Sequence, residues 1–239
     1  MRINRFLALC GIASRRKCEE FIARGDISIN GLIITDLSTL INPKKDKIFY
    51  KNKLIDLPSN YSYYILNKPA GYVSSTTDPH DRITVYSLLK GIEERVFHVG
   101  RLDQDSEGLL LFTNDGILAH RLLHPKYHVR KRYLVKVNGF LDDLSINKLV
   151  KGVELEEGIT NPSNIELINR SNNESVFYIT ITQGWKRQIR RMIDKIGLHA
   201  TYLRRDSFGC IDLSDLKPGK WRKLSMNEVK SLYKQVKLP

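Results

Sequence analysis

Stretches of period two alternate along the chain with stretches of helical period, and turn residues separate them. In RRKCEEFIARG, Cys18, Phe21 and Ile22 recur at helical spacing, with Ser14 as an N-cap and Gly25 as the stop. DISINGLIITD alternates about Asn30-Gly31, the pair that favours a two-residue hairpin turn, and NPKKDKIFYKNKLID predicts a second short hairpin. LPSN at 57–60 reads as a linker. Beyond it, YSYYILNKPAGYVSS predicts a strand ending at Pro69 and Gly71, because proline has no amide to give a sheet ladder. TVYSLLKGI predicts a short helix capped by Thr84, and GLLLFTND a buried strand closed by Asn114, Asp115 and Gly116. ILAHRLLHP and DDLSINKLVKG read as helices, KRYLVKVNG and SVFYITITQG as strands. GWKRQIRRMIDKIG is amphipathic: Trp185, Ile189, Met192, Ile193 and Ile196 share one face, and Lys186, Arg187, Arg190 and Arg191 largely occupy the other. A strand over HATYLRRDSFG and a final helix opened by the capping box of Ser225 and Glu228 complete the pattern. Irregular alternation with frequent hairpin signals fits an α+β fold better than a doubly wound parallel one.

Charge changes this picture more than size does. A chain of 239 residues, 41% hydrophobic and 27% charged, is an ordinary soluble protein of one domain or two. Its 39 basic and 26 acidic side chains give a formal net charge of +13, which suits a polyphosphate partner, nucleic acid before an anionic membrane. A membrane partner is set aside, since no run approaches the roughly 18 apolar residues of a spanning helix and no amphipathic helix exposes an apolar face. The segment Leu7-Ala8-Leu9-Cys10 is too short for a secretory signal. Three cysteines, Cys10, Cys18 and Cys210, fit reduced thiols in a cytoplasmic protein.

The basic residues gather in two places. Arg2, Arg5, Arg15, Arg16, Lys17 and Arg24 outweigh Glu19 and Glu20 on the two N-terminal helices, a lopsided surface that suits RNA or DNA better than a merely solvated face. The second group is Lys186, Arg187, Arg190 and Arg191 with Arg204 and Arg205, at a predicted helix N-terminus, where Trp185 reads as a core anchor. His120 and His124 have zinc-pair spacing but no further ligands nearby, and PGKW at 218–221 lacks the rest of a phosphate loop. Neither a metal nor a nucleotide cofactor is therefore expected. Any chemistry falls to a carboxylate, and GRLDQDSEGLLLFTNDG (100–116) offers Asp103 just before its apolar strand. A carboxylate there needs an arginine, Arg101 or Arg190; spacing alone leaves a reacting group and a structural ion pair both open.

RINRFLALCGIASRRKCEEFIARGDISINGLII resembles the αL RNA-binding domain of small-subunit ribosomal protein four, through its Ser-Arg-Arg and Asn-Gly elements. GRLDQDSEGLLLFTNDG resembles the signature of the pseudouridine synthases, in the branch that modifies ribosomal RNA and carries such a domain in front. LNKPAGYVSS, RKRYLVKV, QGWKRQIRRM and LRRDSFG are similar to that family's further motifs and fall in its order. Trp185-Lys186 departs from the family's more frequent residues there, which bears on RNA contacts rather than on activity. The resemblance implies an αL domain over 1–58 and, over 59–239, a catalytic domain built on a mixed, mainly antiparallel sheet. It also implies a cofactor-free isomerisation with Asp103 as the catalytic group. Arg101, Tyr133, Arg190 and Leu203 would surround the substrate, Arg190 holding Asp103 ionised and Tyr133 stacking on the uracil. Arg2, Arg15, Arg16, Lys17, Lys68, Lys186 and Arg187 are the expected RNA contacts. The expected partner is ribosomal RNA or a pre-ribosomal particle, bound by a monomer, and VNGFLDDLSINKLVKGVELEEG leans toward a large-subunit target. The alternatives are a small-subunit target and a non-catalytic RNA-binding assembly protein.

Overall fold

Two short helices, α1 (Ile3–Leu9) and α2 (Arg15–Ala23), precede an antiparallel sheet of β1 (Ile27–Ile29), β2 (Leu32–Ile34), β3 (Ile48–Tyr50) and β4 (Lys53–Ile55) in the order β2-β1-β3-β4. The Ser14 hydroxyl accepts the Lys17 amide at 3.3 Å, as an N-cap does, and the chain leaves α2 through Gly25 at φ +75°. Asn30 and Gly31 both have positive φ, 53° and 89°, as a primed hairpin turn requires. Ile3, Leu7, Cys18, Ile22 and Ile27 close this core. In the computed structural model residues 1–58 and 60–239 are described; Ser59, in the predicted linker at 57–60, lies outside the described residues. The chain divides into Met1–Ser62 with Asn114–Gly116, and Tyr63–Thr113 with Ile117–Pro239.

The larger part of the chain supplies β5 (Tyr63–Lys68), β6 (Phe97–Val99), β7 (Glu107–Thr113), α3 (Gly116–Leu123), β8 (Lys131–Asn138), α4 (Asp143–Lys151), β9 (Glu154–Leu155) and β10 (Gly158–Ile159). It continues through β11 (Asn164–Arg170), β12 (Glu174–Ile181), α5 (Gln188–Lys195), β13 (Ala200–Phe208), β14 (Ile211–Asp212), β15 (Trp221–Lys223) and α6 (Met226–Gln235). The main sheet runs β11-β12-β8-β13-β7-β5-β15, with β14 added to β13 and β6 to β7. Every pairing is antiparallel except β13 with β7, so the expected α+β fold with a mixed, mainly antiparallel sheet is what forms. Period-two alternation sends Leu66, Leu110 and Phe112 into one core and Ile65, Leu109 and Leu111 into the other.

Three local expectations change. Val85–Leu88 is a 3-10 turn, and the Thr84 side chain does not cap it; its carbonyl accepts from Ser87 instead. The amphipathic helix begins at Gln188, because Arg187 is left-handed (φ 49°) and interrupts the run from Trp185. The Gln188 side chain then accepts the Trp185 amide at 3.1 Å. Strand β11 went unpredicted: it is an edge strand whose side chains are mostly exposed and polar, so it lacks apolar alternation.

The parallel seam is very short, pairing only Arg204 with Glu107 and Arg205 with Gly108. At Gly108 φ is +102°, and an added Cβ would lie 2.7 Å from the Arg205 amide nitrogen and closer still to its carbonyl oxygen. Gly219 also has positive φ, +76°, but open space around it. Gly108→Ala is therefore expected to destabilise by about 3 kcal/mol or more, and Gly219→Ala by only about 1 to 2 kcal/mol. Urea unfolding of both variants checks this; equal losses would mean that the backbone conformation alone, not the close approach, sets the requirement.

Candidate active site

Strand β7 brings Glu107 and its apolar run into the sheet, and the loop before it carries Asp103. Main-chain acceptors hold that loop. The Leu102 carbonyl accepts from the Ser74 hydroxyl at 2.8 Å, and the Asp103 carbonyl from the Ser106 amide at 3.1 Å. The Gln104 carbonyl takes the Gly71 amide at 2.8 Å and Lys68 Nζ at 3.3 Å. The Asp105 carbonyl takes Arg190 Nη2 at 3.1 Å, and the Ser106 carbonyl Lys68 Nζ at 2.6 Å. Five successive carbonyls are thus engaged. The Asp103 carboxylate, half-buried, makes no hydrogen bond or ion pair among the described residues.

Asp103 opens onto a cavity of about 570 Å³, whose lining includes Arg101, Ser106, Tyr133, Trp185, Leu203 and Arg205. Of the charged residues around it, Arg101, Lys131, Lys186, Arg187 and Arg205 are cations and only Asp103 is an anion. Tyr133 and Leu203 are buried on adjacent strands β8 and β13. Their side chains meet the cavity beside the carboxylate. Such a volume is in the range that encloses a small organic group.

Two expected site residues do something different. Lys68 is 0% exposed and spends its ammonium on the carbonyls of Pro69, Gln104 and Ser106, so it cannot touch RNA; it is a brace for the Asp103 loop. Arg190 is only 5% exposed, because the late start of α5 turns it inward. Its guanidinium binds the Ala200 carbonyl at 2.7 Å and the carboxylate of Asp105 at 3.3 Å, not Asp103. Asp105 also takes Arg187 Nη1 at 3.1 Å from both oxygens. Lys186 and Arg187 remain exposed, and Trp185 both packs on the core and lines the cavity. On the N-terminal unit Arg2, Arg5, Arg15 and Arg16 are exposed without an acidic partner among the described residues, whereas Lys17 pairs with Glu20 and Arg24 with Asp26.

The family model described as RNA pseudouridylate synthase matches residues 62–195, more than half of the chain, and the S4 domain model matches residues 1–47. An uncharacterized RNA pseudouridine synthase of Aquifex aeolicus is 40% identical over all of this chain and 96% of its own length. The chain belongs to the RNA pseudouridylate synthase family. A Bacillus subtilis relative named ribosomal large subunit pseudouridine synthase B is 37% identical over 97% of this chain and 95% of its own. A crystal structure of a pseudouridylate synthase aligns over 97% of this chain and 99% of that one, at a TM-score of 0.71 and 29% identity. The protein is accordingly a pseudouridine synthase, an isomerase, with an S4 domain in front.

Within this synthase, sequence reasoning missed the individual importance of Lys131, Ser106 and Arg205, all buried and all lining the cavity. Burial first, and the neighbouring Arg205 second, push the Lys131 ammonium down to about 8. Burial also lowers Lys68 to about 8, although Asp105, Glu107 and Asp103 pull it back up. Both shifts are depressions below the unfolded value of 10.5. Deprotonation therefore favours the folded state as pH rises from about 8, and that stabilisation is lost as pH falls back through about 8. Turnover moves the other way, since the loop brace and the cavity both lose positive charge. Single-turnover rates are expected to fall above about pH 8 while the chain does not become easier to melt between about pH 8 and 9. A flat pH–rate profile from pH 7 to 9.5 would count against this role for the two lysines.

Proposed function

We propose that the protein isomerises a single uridine of ribosomal RNA to pseudouridine, with a large-subunit target favoured and Asp103 as the reacting carboxylate. The observation that carries this reading is one carboxylate without a partner among the described residues, on a backbone-braced loop, in a cavity whose other charged lining residues are all cations. The names of the Bacillus subtilis relative and of a Haemophilus influenzae relative, 34% identical and also named ribosomal large subunit pseudouridine synthase B, support the choice of RNA.

A uridine inside a helix hides its glycosidic bond, so the nucleotide leaves the stack and enters the cavity. Tyr133 stacks on the uracil and Leu203 packs against it, while Arg101, Lys186 and Arg187 receive the flanking phosphates at the rim. Asp103 then acts on the ribose, by attack at C1′ or by taking the C2′ proton. On either route uracil departs with the C1′–N1 bonding electrons, turns within the closed pocket, and rejoins C1′ through C5. Confinement keeps the detached ring within bonding distance. Arg190 serves indirectly, by fixing the loop through the Asp105 carbonyl and carboxylate. Arg2, Arg15, Arg16 and, once released from Glu20, Lys17 give the S4 domain its hold on RNA phosphates.

Because C5 surrenders its hydrogen when it bonds to C1′, tritium release from rRNA transcripts labelled at uracil C5 reads the reaction directly. Asp103→Asn is expected to lower release by about three orders of magnitude or more. Equal release from the variant and the wild type would refute the assignment and favour a non-catalytic RNA-binding protein. Carbodiimide-blocked primer extension on rRNA from a deletion strain should lose one stop, and the subunit in which it disappears names the target. For the S4 domain, Arg15→Ala and Arg16→Ala together should flatten the slope of log affinity against log salt by about one unit per arginine. An unchanged slope would mean that these side chains are only solvated.

A further inference from the structure

Arg205 has no part in the chemistry described so far. It sits on β13 at the parallel seam, 2% exposed, and lines the same cavity as Asp103, Tyr133 and Leu203. Its Nε donates to the Leu109 carbonyl at 2.8 Å, and its Nη1 lies 3.4 Å from the Tyr133 hydroxyl. Its guanidinium carbon is 5.9 Å from the centre of the Tyr133 ring and 5.3 Å from that of Phe208. Among the described residues Nη2 has no hydrogen-bond partner and no carboxylate pairs with this guanidinium. Buried donors without partners are rare in native folds, and a buried unpaired charge rarer still. The Leu109 and Tyr133 bonds account for two of five N–H groups, so a packing role explains only part of the choice of arginine.

A second buried cation reinforces the field. Lys131 Nζ is 5.7 Å from the centre of the Phe208 ring, but its hydrogens are committed to the carbonyls of Val129 and Thr182, at 3.2 and 3.1 Å, and of Gln183, at 3.5 Å. Of these two buried cations, Arg205 is thus the one with a donor to spare.

We propose that Arg205 is a further catalytic residue, donating from Nη2 to a carbonyl oxygen of the flipped uracil and stabilising the negative charge the ring gains as the C1′–N1 bond breaks. This rests on the reading of Asp103 and the cavity given above. The bonding pair leaves on N1 and spreads onto O2 and O4. C1′ is meanwhile bonded to Asp103, or joined to C2′ by a double bond once Asp103 holds the C2′ proton. As C5 supplies the new pair to C1′, either the Asp103–C1′ bond breaks with its pair returning to the carboxylate, or Asp103 returns its proton to C2′ as the double bond opens. C5 then loses its hydrogen as a proton and N1 gains one, so atoms and electrons balance without an added reactant. Arg205 moves no proton. Nη2 has next to no exposed surface, so the incoming ring displaces its cover to reach it; the donor then meets charge that develops only during reaction, which is where such a group accelerates most.

The test uses the full-length protein and an rRNA fragment carrying the mapped target, with uridine or 5-fluorouridine at that position. Fluorine withdraws electrons and stabilises the departing ring, so a missing donor matters less. Arg205→Gln should slow single-turnover loss of uridine by about a hundredfold or more, but loss of 5-fluorouridine by only about tenfold or less, with Arg205→Lys between. Nucleoside analysis of digests gives both rates, and circular dichroism and RNA affinity verify folding. Equal losses on the two substrates would overturn the proposal and leave Arg205 a packing residue. Asp103→Asn should abolish reaction on both; an active Asp103→Asn would instead refute the underlying site. Should neither Arg205 variant fold, wild-type turnover of 2-thiouridine and 4-thiouridine decides, because sulfur is a poor acceptor. One of the two should react about tenfold slower or more, a single lost hydrogen bond. Both reacting at the uridine rate would overturn the proposal.

Discussion

The run of engaged carbonyls from Leu102 to Ser106 is the constraint on which the rest of this site depends. A carboxylate does useful work only if it is held still and left free of competing partners. Those demands conflict when the side chain itself is the anchor. Here the backbone is anchored instead, by Ser74, Gly71, Lys68 and Arg190, and the Asp103 oxygens stay uncommitted. Lys68 matters most, because one ammonium ties β5 to two carbonyls of the loop. Its burial is tolerable because it donates to three carbonyl dipoles and faces Asp103, Asp105 and Glu107.

The parallel seam decides what faces that loop. Antiparallel pairing builds each half of the sheet from near neighbours in sequence, β5 with β7 on one side and β8, β12 and β13 on the other. Within the sheet, among the described residues, only the β7–β13 pairing joins the halves, over two residue pairs, and Gly108 is slim enough to let it close. The loop of Asp103 and the strand of Leu203 and Arg205 therefore meet where the halves join. The cavity lies at this junction rather than in either half.

Much of this was legible from residues alone, and the omissions share a cause. The Ser14 cap, the Asn30-Gly31 turn and the Ser225–Glu228 capping box are local, with each partner within a few residues, and all form. The buried strands announce themselves by apolar runs. Asp103 was readable only because the motif around it resembles a family; its spacing alone left an ion pair equally open. Lys68 read as an RNA contact, Arg190 as the partner of Asp103 and Arg205 as one of a basic group, because nothing local marks a long cation as buried. Their burial depends on carbonyls 36 to 96 positions away where it matters most, as in Lys68 with Gln104 and Ser106, Arg190 with Asp105, and Arg205 with Leu109. No window of sequence contains those partners.

The brace on the Asp103 loop also bears on how such a protein diverges. Every amino acid brings a backbone carbonyl, so most of the bonds that fix this loop are indifferent to which side chains it carries; the Asp105 carboxylate on Arg190 and the Gln104 amide on the Gly71 carbonyl are additions to them. Gln104 is exposed, and its neighbour Asp105 turns its carboxylate toward Arg187 at the cavity rim. Replacing these side chains would alter the surface met by an incoming RNA while the carbonyl-held backbone under Asp103 kept its place. A lineage could in this way change the RNA it greets and retain the same reacting centre.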